Sequence, residues 1–133
     1  MNLKLKKKQL ENGRPRFSYK MGRMYTPSAT QKFEQKVKNA FLEKYTLKEL
    51  SEKPIKALII AEFEPPKSLS KKKRLELIEE VISYTKKPDI DNIAKIVLDG
   101  LNGVAYKDDS QICRLEIYKR YGYQNKIIVK LED

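Results

Sequence analysis

The spacing of apolar residues along the chain predicts an alternation of strands and helices. Residues 1–27 predict strands joined by a turn: residues 3–10 alternate between apolar and polar side chains, residues 11–13 break the pattern, and residues 16–25 resume an extended character. Residues 29–45 carry apolar side chains at helical spacing and predict a helix with one apolar face. That face consists of Phe33, Val37, Ala40, Phe41 and Tyr45.

The middle of the chain predicts a central strand and a second helix. Residues 55–64 are the most apolar stretch, which is typical of a central strand. Residues 70–84 predict a helix whose first turn carries four cations at residues 71–74. Cations at that end oppose the helix dipole, so they do not serve helix stability, and a solvated charge run and a phosphate-contacting one both stay open. The apolar residues of this helix are Leu75, Ile78, Val81 and Ile82.

The last third of the chain predicts a third helix and two closing strands. The helix is expected from about Asn92 to Leu101, with Asp91 as its N-cap. Its buried side consists of Ile93, Ile96, Val97 and Leu101. Residues 111–122 and 126–133 alternate cleanly and predict an antiparallel hairpin.

Alternation in the first closing strand places Cys113, Leu115 and Ile117 on one face, so Cys113 is expected in the core. No internal repeat, long linker or low-complexity segment interrupts the chain. We therefore expect one domain over residues 1–133, of the α+β class, with a mixed or antiparallel sheet and about three helices.

Composition adds a strong excess of positive charge. The 133 residues include 29 lysines and arginines against 18 aspartates and glutamates, so the net charge at neutral pH is +11. A field of this size concentrates polyanions and indicates nucleic acid as a partner, while a basic protein without that role is the alternative. No apolar run has the length of a membrane span and the N-terminus has no signal-like apolar segment, so a cytoplasmic protein is expected.

Two absences narrow the possible chemistry. The chain has no histidine, which excludes Ser-His-Asp triads and histidine-ligated zinc. Its single cysteine, Cys113, cannot form an intrachain disulfide or a cysteine zinc cluster. Reactive groups must therefore be carboxylates, lysine, arginine or hydroxyls, and oxygen ligands of this kind suit Mg²⁺ or Mn²⁺.

Acidic residues gather in one region of this basic chain. Asp89 and Asp91 follow Pro88, which favours an extended approach, so both carboxylates are expected on one side with Ile90 turned into the core. Lys95 lies four residues after Asp91, and Asp99 lies four residues after Lys95, so the three share one stripe of the predicted helix. Asp108 and Asp109 follow in a predicted turn.

Two interpretations of this acidic region are possible. Taken singly, a capping aspartate, an ion pair four residues apart and a solvated acidic turn are ordinary features, each pair contributing about 0.2–0.5 kcal/mol. Taken together, the carboxylates repel one another unless a metal neutralises them, and the lysine is suited to stabilising charge on a phosphate. These residues favour a metal-dependent phosphodiester hydrolase, with the structural interpretation left open.

Residues 87–112, KPDIDNIAKIVLDGLNGVAYKDDSQI, resemble the central motif of the RusA family of Holliday junction resolvases, which prophages often encode. The pattern is Asp-x-Asp-Asn, a lysine four residues after the second aspartate, Asp-Gly-Leu and an Asp-Asp pair. Residues 13–27, GRPRFSYKMGRMYTP, are similar to the arginine-rich N-terminal segment of the family, and the apolar strand and closing strands follow in the expected order. The resemblance therefore covers most of the chain.

By position, the resemblance implies that Asp89, Asp91 and Asp109 bind the metal and that Lys95 is the catalytic lysine. Mg²⁺ is the implied cofactor, with Mn²⁺ as a substitute, and the implied reaction is attack by water on a phosphodiester bond. Asp99 and Asp108 fit the motif with less defined roles. Asp99 is placed to hold Lys95, and Asp108 to shape the turn.

The resemblance also implies partners. A homodimer is expected, because two symmetric nicks in a four-way junction match two sites related by a two-fold axis. Four-way and other branched DNA is the expected substrate, recognised by shape and backbone charge. Expected DNA contacts are Arg14, Arg16, Lys71, Lys72, Lys73 and Arg74.

Two other functions are open at this point. A restriction-type nuclease would combine Pro88 and Asp89 with Glu116 and Lys119, but their spacing is one residue too long and alternation puts Glu116 and Lys119 on opposite faces. A non-catalytic protein that binds branched DNA would have the same charge, although it leaves the ordered acidic residues unexplained.

Overall fold

A computed structural model describes residues 2–4, 16–18, 23–25, 28–45 and 49–133 of the chain. Within these ranges the strands are β1 (Asn2–Lys4), β2 (Arg16–Ser18), β3 (Arg23–Tyr25), β4 (Ile55–Phe63), β5 (Ile112–Tyr121) and β6 (Lys126–Glu132). The helices are α1 (Ser28–Lys44), α2 (Lys71–Glu79) and α3 (Ile90–Leu101), and one 3-10 turn spans Asp109–Gln111. None of these helices is both long and apolar enough to cross a membrane. The α+β class with three helices is confirmed for the described part of the chain.

A mixed four-stranded sheet in the order β1-β6-β4-β5 forms the centre of the fold. β4 pairs in parallel with β5 and antiparallel with β6, which confirms the prediction of a central strand. β2 and β3 pair with each other in a separate two-stranded sheet. The break predicted at residues 11–13 lies outside the described residues.

The predicted hairpin between the last two strands is wrong. β5 and β6 lie on opposite edges of β4, so they are not neighbours. Their connection crosses the end of β4, where the Gly122 amide donates to the Phe63 carbonyl at 2.9 Å and the Glu64 amide donates to the Asn125 side chain at 2.9 Å. β4 is the most apolar strand, and burying it requires hydrogen-bond partners on both edges, which β5 and β6 provide.

One face of β4 forms the core together with α1 and α3. α3 contributes its predicted stripe, whose members are all fully buried: Ile93, Ile96, Val97 and Leu101. α1 contributes Phe33, Val37 and Phe41 as predicted, whereas Ala40 is half-buried and Tyr45 is 46% exposed just beyond the helix. Both helices are held on the sheet by burial of these stripes.

The second helix is shorter than its apolar pattern predicts. α2 ends at Glu79 and has no buried residue, and Val81 and Ile82 lie outside it with 56% and 38% of their surfaces exposed. The backbone of Val81 is in the left-handed region, with φ at 51°. The Ile82 amide donates to the Leu77 carbonyl at 3.1 Å. This helix ending reverses the chain, so that the Tyr84 amide reaches a carbonyl of β5.

The first half of β5 is exposed, and the prediction of a buried Cys113 is wrong. Ile112 and Arg114 face consecutive residues of β4, so the pairing register skips Cys113. The Cys113 thiol lies 3.5 Å from the Ile55 carbonyl oxygen. Leu115 returns to the core side of the sheet but is still 39% exposed. β5 is an edge strand of the sheet, and the irregular register there changes which side chains are covered, as in a β-bulge.

Candidate active site

The two aspartates at the start of α3 occupy different backbone conformations. α3 begins at Ile90, so Asp89 is its N-cap in an extended conformation and Asp91 lies in the first turn. The predictions of a start near Asn92 and of Asp91 as N-cap are therefore wrong by two residues. Ile90, expected in the core, is 45% exposed, because helical geometry turns it away from the stripe that faces the sheet. Asp89 and Asp91 therefore do not share the extended backbone that was expected to turn both carboxylates to one side.

Asp89 makes no side-chain hydrogen bond to the helix end and pairs with Lys87 instead. The Lys87 ammonium lies 3.0 Å from each of the two carboxylate oxygens. Both side chains are substantially exposed, so the pair contributes little to stability. Its effect is to place a cation beside the first aspartate of the motif, which the sequence pattern did not indicate.

Lys95 and Asp99 form the ion pair that their spacing predicts. Lys95 Nζ lies 2.6 Å from Asp99 Oδ2 across one turn of α3. The hydrogen bond to Asp99 holds the pKa of Lys95 above its ordinary value, although partial burial acts in the opposite direction. The lysine therefore keeps its positive charge throughout the neutral range.

The second acidic turn is fixed by a capping box. The Asp108 carboxylate accepts from the Ser110 amide at 3.2 Å, and the Gln111 side-chain oxygen accepts from the Asp108 amide at 2.9 Å. The Gln111 side-chain nitrogen donates to the Ser51 carbonyl at 2.7 Å, which ties the turn to the segment before β4. Hydrogen bonding to Ser110, first to its side chain, lowers the pKa of Asp108. Asp108 thus shapes the turn, as expected, and Asp109 is exposed at its start.

Tyr106 holds the acidic turn against α3. Its side chain is fully buried, and its hydroxyl donates to the Leu98 carbonyl at 2.6 Å. Burial raises the pKa of Tyr106 far above its ordinary range, and the negative charges of Asp109, Asp99 and Asp108 raise it further. The tyrosine therefore stays protonated, with three carboxylates near it. The sequence around Tyr106 predicted only a turn, because one aromatic residue carries no signal of the contact that it makes.

The charges of three acidic residues act on Lys95, and one of them, Asp99, is in direct contact with it. Asp99, Glu34 and Asp109 all interact electrostatically with it, and each favours its charged form. Asp109 belongs to the second acidic turn, so the charge of one predicted site residue acts on another. Glu34 comes from α1, and the sequence pattern did not reveal it. Glu34 follows the buried Phe33, so the sequence pattern showed it only as a polar residue beside the apolar face of α1.

Asn92 is the one buried polar residue in the described part of the chain, with 6% of its surface exposed. It follows Asp91 in the Asp-x-Asp-Asn pattern, but its side chain is covered, whereas Asp91 is exposed. Asn92 belongs to the buried side of α3, and buried amide side chains are nearly always hydrogen-bonded.

The acidic residues fit a magnesium ion by chemical type. Carboxylate oxygens are the ligands that Mg²⁺ prefers, and Asp89, Asp91 and Asp109 are all at least partly accessible. Within the ranges that the structure describes, however, no group of three or more acidic or cysteine side chains lies close enough together to hold a metal ion. The assignment of these three aspartates as metal ligands therefore stays a prediction.

The basic residues at the start of α2 lie on the surface. Residues 71–73 are exposed, and the Ser70 hydroxyl caps the helix by accepting from a main-chain amide. Arg74 is half-buried, and its Nε has no hydrogen-bond partner among the described residues. Arg16 lies in β2, and Arg14 lies outside the described residues. Their contact with DNA stays a prediction.

The residue arrangement of a restriction-type nuclease is missing from β5. Glu116 faces Leu58 of β4, whereas Lys119 faces Ala61. Side chains alternate along both strands, so the glutamate and the lysine lie on opposite faces of the sheet, as the sequence predicted. They cannot act on the same phosphate.

Comparisons with known proteins match nearly the whole chain. The family model described as "Endodeoxyribonuclease RusA" matches residues 9–132. The chain is also 32% identical over 126 residues to "Uncharacterized protein YqaN" of Bacillus subtilis (strain 168). That alignment covers 91% of this chain and 87% of the relative, so the two proteins are similar over most of their lengths.

Proposed function

The chain belongs to the RusA family of endodeoxyribonucleases, and on that premise we propose that it resolves Holliday junctions by Mg²⁺-dependent hydrolysis of phosphodiester bonds in two opposed strands. The observation that carries the proposal is the position of Lys95. It is hydrogen-bonded to Asp99 and lies within electrostatic reach of Asp109, a carboxylate from another element. A lysine beside carboxylates that can bind a metal is suited to stabilising charge on a phosphate.

Asp89, Asp91 and Asp109 are the residues proposed to hold Mg²⁺. When bound, the ion supplies positive charge at the scissile phosphate and lowers the pKa of a water molecule. Binding requires Asp89 to give up at least part of its contact with Lys87, because both of its oxygens are engaged there. The released ammonium then adds to the positive charge that faces the DNA.

Lys95 is proposed to stabilise the negative charge that develops on the phosphate during attack by water. Its raised pKa keeps it protonated, so it donates hydrogen bonds and does not serve as a general base. Asp99 limits the directions that the side chain can take, so the ammonium group is oriented before substrate arrives. In-line attack leaves 5′-phosphate and 3′-hydroxyl ends, which a ligase can rejoin.

Recognition of the junction is proposed to rest on charge and shape. A net charge of +11 provides a large attraction for four converging DNA arms. The exposed lysines at residues 71–73, together with Arg74, Arg14 and Arg16, are the proposed backbone contacts. Contacts of this kind position a nuclease without reading base sequence.

We infer that the active form is a homodimer of one domain that comprises residues 1–133. Two opposed nicks require two active sites, and a two-fold axis relates them in the way that the junction arms are related. Exposed apolar side chains on and beside β5 support the inference: Leu115 and Ile82 are 39% and 38% exposed. Light scattering should give twice the chain mass of 15.6 kDa. A mass of one chain at concentrations that support cleavage would contradict the dimer.

Cleavage of a labelled synthetic four-way junction tests the proposed function. Wild type is compared with Asp91→Asn and with Asp133→Asn, an exposed aspartate after β6 that serves as the matched control. We expect paired symmetric nicks from wild type and the control with Mg²⁺ or Mn²⁺, and none from the Asp91 variant or in EDTA. A linear duplex of the same sequence should stay intact. Nicks that persist in EDTA would rule out the metal-dependent mechanism.

The alternative is a non-catalytic protein that binds branched DNA. Two observations favour it. In the described ranges no three acidic side chains lie close enough together to hold a metal ion, and Asp89 is paired with Lys87. Tight junction binding without nicks under any divalent metal would support this function. It would also assign the carboxylates of α3 to structural roles.

A further inference from the structure

We propose that Tyr84 and Lys119 of β5 are positioning residues for Asp89, because their side chains hold the main chain that leads into it. That stretch, residues 85–88, is called the lead segment. The effect on metal binding rests on the proposed nuclease function, whereas the hydrogen bonds to the lead segment do not. Neither residue belongs to the Asp-x-Asp-Asn motif, so the assignment comes from the fold.

The lead segment accepts side-chain hydrogen bonds at two consecutive carbonyl groups. The Lys119 ammonium donates to the Lys86 carbonyl at 2.6 Å. The Tyr84 hydroxyl donates to the Lys87 carbonyl at 3.2 Å. The side chains of Lys86 and Lys87 themselves are exposed. The segment is therefore held through its main chain, by donors that lie outside it.

Both donors are fixed at the end of β5. The Tyr84 amide donates to the Lys119 carbonyl at 2.9 Å, and the Lys119 ammonium lies 5.4 Å from the centre of the Tyr84 ring. The Tyr84 ring is buried and stacks on Phe63 of β4, with 4.2 Å between the ring centres. It also meets Tyr121 in an edge contact, with 5.3 Å between the ring centres. Rings packed in this way keep their orientation, so the Tyr84 hydroxyl has a defined position.

The position of Asp89 depends on the main chain on both of its sides. Towards α3, the Asp89 carbonyl accepts from the Ile93 amide at 3.2 Å. On the other side is the lead segment. The Asp89 carboxylate makes no hydrogen bond to the helix end, and its ion pair with Lys87 is substantially exposed. A pair of that kind holds side chains weakly, so release of the lead segment would also release the first carboxylate of the motif.

Limited proteolysis tests the two hydrogen bonds without any need for nuclease activity. Trypsin cleaves after lysine, and the bond between Lys86 and Lys87 contains the carbonyl that Lys119 holds. Its cleavage rate is followed by mass spectrometry under native conditions. We expect about a tenfold rise in Lys119→Met and about a threefold rise in Tyr84→Phe, because the segment opens more often. Unchanged cleavage in both variants would overturn the proposal.

Three controls separate local release from a general loss of stability. Cleavage after Lys71, an exposed residue of α2, should keep the same rate in every variant. Lys119→Arg retains a charged donor and should stay close to wild type. Lys130→Met, which changes an exposed lysine of β6, should cleave like wild type at both bonds. A rise at Lys71 equal to the rise at Lys86 would show unfolding of the whole domain and would contradict a local contact.

Metal titration tests the effect on Asp89. Binding of Mn²⁺ is measured by electron paramagnetic resonance of the free ion, and the Mg²⁺ concentration for half-maximal junction cleavage is measured in parallel. Lys119→Met should raise both midpoints about tenfold, since groups that orient a metal ligand contribute about 10–100-fold to affinity. Lys119→Arg should restore them. A slower variant with unchanged midpoints would overturn the positioning role. If wild type neither binds Mn²⁺ nor cleaves junctions, the nuclease proposal fails, and the trypsin result still decides whether Lys119 and Tyr84 hold the lead segment.

Discussion

Gly100 of α3 and Val37 of α1 are so close that a Cβ atom on the glycine would lie 2.9 Å from the Cβ atom of Val37. The two helices therefore cross at a residue without a side chain, and the separation of the groups that they carry is set there. Lys95 and Asp99 lie on α3 just before the crossing. The geometry of the candidate site thus depends directly on how the core is packed.

Replacing Gly100 by alanine should destabilise the fold. The new Cβ atom meets Val37 and the backbone of Glu34, neither of which can move cheaply. Overpacking of this kind costs about 1–3 kcal/mol, which exceeds the gain of roughly 1 kcal/mol from the better helix propensity of alanine. Urea unfolding measures the net loss. Gly103→Ala is a comparison variant without steric overlap. Gly103 has φ at 79° and no atom within 4 Å of its Cβ position, so any loss of stability there comes from backbone strain alone. A Gly100 variant as stable as wild type would mean a looser crossing.

Replacing Lys95 by methionine should remove activity and leave the fold intact. The side chain keeps most of its length but loses the charge proposed to stabilise the phosphate, and such losses reduce rates by about 10²–10³-fold. The ion pair with Asp99 is partly exposed, so the free energy of unfolding should change by only about 0.5 kcal/mol. Single-turnover cleavage and urea unfolding together check both statements. Lys44→Met serves as the control, and a Lys95 variant with full activity would exclude a catalytic role.

Replacing Asp99 by asparagine should lower the free energy of unfolding by an amount that depends on pH. A lysine with a raised pKa contributes stability that is fully present below the ordinary value of 10.5 and is lost as the pH rises through the folded value. Wild type should therefore exceed Asp99→Asn by about 0.5 kcal/mol near neutral pH, and the difference should disappear above the raised pKa. Urea unfolding over that pH range measures it. A constant difference would show that Asp99 stabilises the fold without Lys95.

Replacing Val81 by glycine should stabilise the protein. Val81 has φ at 51°, a conformation that a β-branched residue adopts at a cost of about 1–2 kcal/mol, and it ends α2 at the position where glycine is favoured. Its side chain is 56% exposed, so little packing is lost. A rise in the urea midpoint would confirm the prediction. Val81→Ala separates the causes, because it shortens the side chain without relieving the backbone and should give little or no gain.

Features that depend on local geometry could be predicted from the sequence. The buried stripe of α3 and the ion pair between Lys95 and Asp99 follow from helical spacing alone. The central position of β4 follows from its continuous apolar character. The order of the acidic motif indicated the family, because that order is written along the chain.

Features that depend on distant partners could not be predicted. Alternation along β5 and β6 specifies strands but not neighbours, so the inferred hairpin was wrong, and β4 lies between the two. Cys113 is exposed because the register with β4 skips it, and no local pattern carries that information. The start of α3 at Ile90 places Asp91 in the first turn and Asp89 at the cap, and the spacing of apolar residues does not fix a helix end to within two residues.

The sequence by itself determined that this is an α+β nuclease-family chain with an acidic motif around one lysine. Only the tertiary structure decided what surrounds that lysine. Asp99 was visible because one helical turn separates it from Lys95, but the charges of Glu34 and Asp109 act on Lys95 from α1 and from the turn before β5. Their approach depends on the crossing of α1 and α3 at Gly100 and on the buried Tyr106, and contacts across such distances along the chain form only when the core closes.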